Sequence, residues 1–140
     1  MQPWILYAIL SAVFAGITSI LAKYGLENVN PDLGLGIRTA TIFIFITVAN
    51  LIGSKYKDIH LLTTKQTGLL ILSGLATTFS WLFYYRAMKT GLVSYVAAID
   101  KGSIVITIIL AFIIFKDPVT PKILVGAGLI FAGMLVLVWK

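Results

Sequence analysis

Asp100 and Lys101 stand side by side inside an otherwise apolar stretch running from Leu92 to Phe115. The uninterrupted apolar part, Ile104 to Phe115, covers only ~18 Å at ~1.5 Å rise per residue, against a hydrocarbon core of ~30 Å. To cross that core the helix must begin near Leu92, which puts Asp100 about eight residues in, ~12 Å from its start and near the midplane. An ionised side chain there costs about 2.5–3.5 kcal/mol on insertion scales, and such groups line a solute or ion pathway or pair with one another. Asp100 is therefore the candidate proton- or cation-responsive group. Successive helix residues point ~100° apart, so Asp100 and Lys101 do not both face one narrow lumen. Two blander readings compete: an ion pair with another helix or copy that fixes packing, and an interfacial helix start ahead of Gly102.

Arg38 lies about five residues into the apolar run Leu33 to Gly53, deeper than a headgroup anchor needs, although a long arginine can snorkel out. Arg86 follows Tyr84 and Tyr85, which fits either a pathway lining or an interfacial aromatic belt. Connectivity places Arg38, Arg86, Asp100 and Lys101 in the same half of the bilayer, where they could line one vestibule. Thr77, Ser80, Trp81, Tyr84 and Met88 recur at helical spacing on one face. A polar and aromatic stripe within lipid suits a cavity better than acyl chains; ordinary helix packing is the alternative. Small residues mark contact faces: Ser11, Ala15 and Ser19; Ser103, Thr107 and Ala111; Gly126 with Gly133 one heptad on.

The elements that must position these residues are membrane helices. Of 140 residues, 59% are hydrophobic and only 11% charged, where soluble domains carry about 25% charged residues. Mean hydropathy is +1.01. Apolar runs at about 4–22, 33–53, 67–88, 92–115 and 122–139 give about five spans of roughly 20 residues each. This is an all-α, polytopic membrane bundle forming a single domain. The first run lacks the basic n-region of a signal peptide and is expected as a mature helix. Gly91 is a helix stop, Lys116-Asp117-Pro118 ends the fourth span, Thr120-Pro121 caps the fifth, and Lys140 anchors its end.

The chemistry of soluble enzymes is missing. The sequence has no cysteine and a single histidine, His60, which sits in the polar loop between the second and third spans. There is no nucleophile elbow, phosphate loop, metal-binding histidine pair or close carboxylate pair, so no enzyme activity, metal or cofactor is expected. The formal charge is +6, but the basic residues are scattered one or two at a time and suit anionic lipid headgroups, not nucleic acid. With alternating loops, Lys55, Lys57, Lys65, Lys116 and Lys122 fall on one face and Lys23, Arg38, Arg86, Lys89 and Lys140 on the other. That balance gives no orientation by the positive-inside rule. Either a partner or headgroup contacts settle it, or the chain inserts both ways and pairs with an inverted copy, as inverted repeats do in transporters.

The stretch Ser80-Trp81-Leu82-Phe83-Tyr84-Tyr85-Arg86-Ala87-Met88-Lys89-Thr90-Gly91, then Ser94 through Val105 with its Ile99-Asp100-Lys101, then Phe115-Lys116-Asp117-Pro118-Val119-Thr120, resembles the EamA-type domain of the drug/metabolite transporter superfamily in its short form. Ile37-Arg38-Thr39 and the Gly126 to Gly133 segment fit the same pattern, so the resemblance covers essentially the whole chain. It implies a multi-pass cell-membrane protein matching one five-helix half of a ten-helix, inverted-repeat carrier. The expected activity is secondary transport of a small-molecule substrate, a metabolite or drug-like solute, by alternating access in an antiparallel homodimer. The alternative is a non-catalytic membrane subunit that pairs with a second half-size chain to build or regulate a carrier. Two positions depart from the family pattern: Ala98 stands where short members often have proline, which bears on the kink expected in the fourth helix. Asp117 stands where glutamate is usual, which keeps the charge.

Overall fold

Proline at the first helical turn opens three of the helices, where its missing N–H leaves no bond unmade. A computed structural model describes residues 2–139; Lys140, expected as the terminal anchor, lies outside them. The helices are α1 (Pro3–Gly25), α2 (Pro31–Ile52), α3 (Thr64–Thr90), α4 (Val93–Asp100), α5 (Ser103–Phe115) and α6 (Pro121–Val138), with a short 3-10 helix at Lys55–Leu61. No strand occurs among the described residues. The fold is all-α, and five segments are long and apolar enough to cross a membrane, α4 and α5 together making one of them.

Local chemistry sets the boundaries. Asn30 accepts a hydrogen bond from the Asp32 backbone N–H at 2.8 Å, so α2 starts at Pro31, ahead of the expected Leu33. The Asn-Pro pair is the same start signal as Thr120-Pro121 at α6, where the Thr120 hydroxyl accepts from the Ile123 N–H at 3.3 Å. α3 also begins early. Thr63 and Gln66 form a reciprocal capping box, the Gln66 side chain accepting from the Thr63 N–H at 2.9 Å and Thr63 Oγ1 accepting from the Gln66 N–H at 3.3 Å. α5 ends on Lys116 in the left-handed conformation, φ 55°, with the Asp117 N–H reaching back to the Ala111 carbonyl at 3.4 Å.

Contacts divide the chain into two compact units, Met1–Thr90 and Gly91–Lys140. In the first, α3 packs against both α1 and α2. Its small core consists of Ala22, Leu26, Leu35, Tyr85 and Met88, with Met88 0% exposed. Gly34 is closely packed there: a Cβ on it would lie 2.7 Å from the Leu26 side chain, which would have to shift. In the second unit, α6 packs against α4 and α5, and no described hydrophobic side chain is fully buried. The expected continuous fourth span is interrupted at Lys101-Gly102. Three-residue turns carry the chain across, with the Lys101 N–H bonded to the Ala98 carbonyl at 3.1 Å and the Gly102 N–H to Ile99 at 2.9 Å. Gly102 lies against α6, where a Cβ would meet the Met134 sulfur at 2.8 Å. The interruption thus arises without a proline at position 98.

Large aliphatic and aromatic side chains along the spans, among them Phe14, Phe43, Phe45, Phe83, Phe112 and Leu129, are mostly exposed. In water such a surface would aggregate; in a bilayer it meets acyl chains as apolar as itself.

Candidate functional site

The first unit contains the richer chemistry, gathered where α3 meets α1 and α2. Arg38, seven residues past the start of α2 and so about 10 Å along it at ~1.5 Å per residue, lays its guanidinium 3.6 Å from the centroid of the Trp81 ring. Trp81 is fixed in turn by edge contacts with Tyr84 (centroids 5.4 Å apart) and Tyr85 (5.9 Å). A cation over an indole face gains about 0.5–2 kcal/mol, more as water is removed. Arg38 makes no ion pair or hydrogen bond among the described residues. The carboxylate nearest in the chain is already engaged: Asp32 takes both Nε (3.0 Å) and Nη2 (2.8 Å) of Arg86. This two-point geometry matches a planar guanidinium to a planar carboxylate.

Three further links close the cluster. The Ser19 and Tyr84 hydroxyls share a hydrogen bond at 2.7 Å, joining α1 to α3. Lys23 donates to the Met88 carbonyl at 2.8 Å and to the Lys89 carbonyl at 3.3 Å. Lys89 donates back to the carbonyl of Leu26. Each lysine thus supplies a cation to carbonyls at the other helix's C-terminal end, where the helix dipole is negative. Beside this cluster lies a cavity of about 400 Å³, walled by Thr18, Ala22, Leu26, Gly34, Arg38 and Tyr85 among others. Its wall is mostly apolar.

Over residues 2–139 the sequence matches the EamA-like transporter family. The chain belongs to that family. It is also 35% identical over 136 residues to an uncharacterized transporter in the cobO 3′ region of a Sinorhizobium species, a match covering 97% of this chain and 96% of that one. No solved structure matches it. Family membership makes this a multi-pass membrane protein and points to transport and away from an enzyme activity.

The expected site residues of this EamA chain fall in different settings. Arg38, Trp81, Tyr84 and Arg86 all enter the first unit's cluster, and Tyr84 and Trp81 lie toward the neighbouring helices. Thr77 and Ser80, expected on the same stripe, are exposed, and the Thr77 hydroxyl bonds back to the Ser73 carbonyl of its own helix at 2.9 Å. In their place Tyr85 turns inward, 4% exposed. In the second unit Asp100 and Lys101 pair with each other at 3.6 Å, both exposed, at the interruption between α4 and α5. Thr107 bonds back to the Ser103 carbonyl at 3.0 Å. A Cβ on Gly126 or Gly133 would meet nothing within 4 Å, so inside the chain the close glycine contact of this unit is at Gly102. His60 sits in the 3-10 helix with Nδ1 2.6 Å from the Lys57 carbonyl. Among the described residues no group of acids and histidines could hold a metal ion.

Asp32, Lys23, Lys89, Ser19 and Tyr85 are not marked out for this site by sequence pattern. A signal exists for one of them: Asp32 follows Asn30-Pro31 in a helix's first turn, a membrane-bordering acid with basic residues on the spans that share its face. The lysines carry no such mark, because any chain-end lysine of a span looks like a headgroup anchor.

Proposed function

We propose that this chain is a secondary carrier of a small organic solute in the cell membrane, completed by a second copy inserted in the opposite orientation. The observation that carries the reading is Arg38: a cation with no acidic partner among the described residues, held over Trp81 beside a cavity within membrane-spanning helices. A permanently structural arginine in lipid would be expected to carry its own counter-ion, as Arg86 does in Asp32. The near-even spread of basic residues and the apolar faces left exposed by the chain support an inverted pair, since a five-span half needs a second half to enclose a pathway. Asp100, at the interruption of its span, is the group proposed to exchange charge as the carrier alternates.

The test is reconstitution of the purified chain alone into liposomes, with substrate counterflow and proton movement measured across a panel of metabolites. Flux that falls at least tenfold in Asp100→Asn is expected. Undiminished flux in that variant removes the carboxylate from the mechanism. Accessibility tags at both termini are expected to report both orientations, and a single fixed orientation rules out the inverted homodimer. Flux that appears only when a second half-size chain is added assigns the chain instead to a heteromeric carrier.

A further inference from the structure

We infer that the cavity between α1, α2 and α3 is a site for a small organic monoanion, a carboxylate on an apolar body, whose charge is taken by Arg38 and whose carboxylate accepts from the Tyr85 hydroxyl. The inference deepens the carrier reading, on which its physiological meaning rests, but the site stands on its own geometry. The cavity, about 400 Å³, falls in the range of roughly 300–1,000 Å³ typical of small-molecule sites and has their usual make-up, apolar walls with few polar groups. Those groups define the charge of the occupant. No acidic side chain is among the residues that line the cavity, and nearby Asp32 is held by two guanidinium nitrogens of Arg86, so the wall offers a cation no carboxylate.

Arg38 offers what an anion needs. Its guanidinium carbon lies 3.6 Å from the centroid of the Trp81 ring, and its N–H groups have no hydrogen-bond or ion-pair partner among the described residues, which leaves them for two-point contact with a carboxylate. Tyr85 adds a second donor: no hydrogen bond engages its hydroxyl among the described residues. Nor is that oxygen sealed off, because no unpartnered buried side-chain oxygen occurs among the described residues. The remaining wall, including Ala22, Leu26 and Ile37, suits an aromatic or branched aliphatic body. An anionic lipid headgroup shares the oxyanion chemistry. We commit to the free carboxylate, because a two-chain lipid greatly exceeds the cavity.

Trp81 supplies the readout. In a chain carrying Trp4→Phe and Trp139→Phe, Trp81 is the remaining tryptophan, and any ligand that draws on the guanidinium 3.6 Å above it changes its emission. The probes are phenylacetate, phenylacetamide and phenethylammonium, matched in size and differing in charge, titrated against protein in phosphatidylcholine vesicles. Phenylacetate is expected to bind at least tenfold more tightly than the amide, and the ammonium most weakly. Arg38→Gln should bring acid and amide within twofold, Arg38→Lys should restore part of the difference, and Tyr85→Phe should weaken the acid severalfold while sparing the amide. Gly25 lines the cavity, and a Cβ there meets nothing within 4 Å; Gly25→Leu should therefore weaken acid and amide alike. Equal binding of acid and amide by the unaltered chain, or preference for the ammonium, overturns the site whatever the variants do. A response to added phosphatidylglycerol with none to phenylacetate overturns it in favour of a headgroup site. Phenylacetate that binds as expected, while the chain carries no member of the metabolite panel across the vesicle, keeps the site and removes the self-sufficient carrier reading.

Discussion

Residues up to Thr90 and residues from Gly91 onward both present apolar surfaces, yet they hold their helices by different means. In the first unit, long polar side chains reach from helix to helix: Tyr84 to Ser19, Arg86 to Asp32, Lys23 and Lys89 to the carbonyls at each other's helix end, Arg38 to the face of Trp81. In the second, none of the described side chains of α4, α5 and α6 hydrogen-bonds across to another helix. Thr107 bonds within its own helix, Asp100 pairs with its neighbour, and the close approach is Gly102 against Met134. The contrast separates two solutions to one problem. Without a hydrophobic drive between helices in lipid, association depends on interhelical polar links or on small residues that let backbones approach. Polar links have direction and fix a geometry, whereas a small-residue contact ties the backbones together without a directional bond.

Met88→Ala, at a fully buried position, is expected to destabilise the first unit by about 2–5 kcal/mol, and a shift of thermal unfolding below that range would mean α3 is held by its polar links alone. The two close-contact glycines come next. Gly34→Ala brings a Cβ to 2.7 Å from a terminal methyl of the buried Leu26, which must shift to make room, for an expected loss of about 1–3 kcal/mol. Gly102→Ala meets the sulfur of the flexible Met134 side chain at 2.8 Å and the Ile99 carbonyl oxygen at 3.0 Å, partly offset by the helix-favouring backbone of alanine, so a smaller loss of about 1 kcal/mol is expected. Equal losses would erase the difference in rigidity. Trp81→Phe weakens the cation's platform and should cost about 0.5–2 kcal/mol, read by denaturant titration. The smallest effect sharpens the contrast: a double-mutant cycle between Ser19→Ala and Tyr84→Phe should give a coupling near 0.6 kcal/mol, about the average for membrane hydrogen bonds. The cycle between Ser103→Ala and Thr107→Val should give none, because Thr107 bonds to a backbone carbonyl that Ser103→Ala leaves in place.

Much of the scaffold is legible in the amino-acid sequence. Spans are marked by runs of apolar residues, and their ends by capping chemistry that is local: Thr120-Pro121 is readable as a helix start because donor and acceptor are three residues apart. Asn30-Pro31 carries the same signal and moves α2 earlier, which deepens Arg38 in its helix. The candidate site is legible only in part. Trp81, Tyr84, Arg38 and Arg86 stand out by type, but periodicity does not say which edge of α3 faces its neighbours. Nor does it say how far along α3 the packing runs: every residue of the helix up to Ser80 is exposed, Thr77 included, and partly or fully buried side chains begin at Trp81. The interruption at Lys101-Gly102 is hidden because neither residue forbids a helix; the turn forms where Gly102 lies against Met134.

By itself the sequence determined the solvent, the number of spans and the scarcity of charge within them, because these follow from transfer free energies that each residue carries wherever it sits. It also determined the family, through residue order over nearly the whole chain. The tertiary structure decided which charges have partners. Asp32 and Arg86 are far apart in the chain and become an ion pair only once α2 and α3 pack together. Arg38 was left with a ring in place of a counter-ion by that same packing. Electrostatic energy depends on distances of a few ångströms between groups remote in sequence, and those distances exist only in the folded chain.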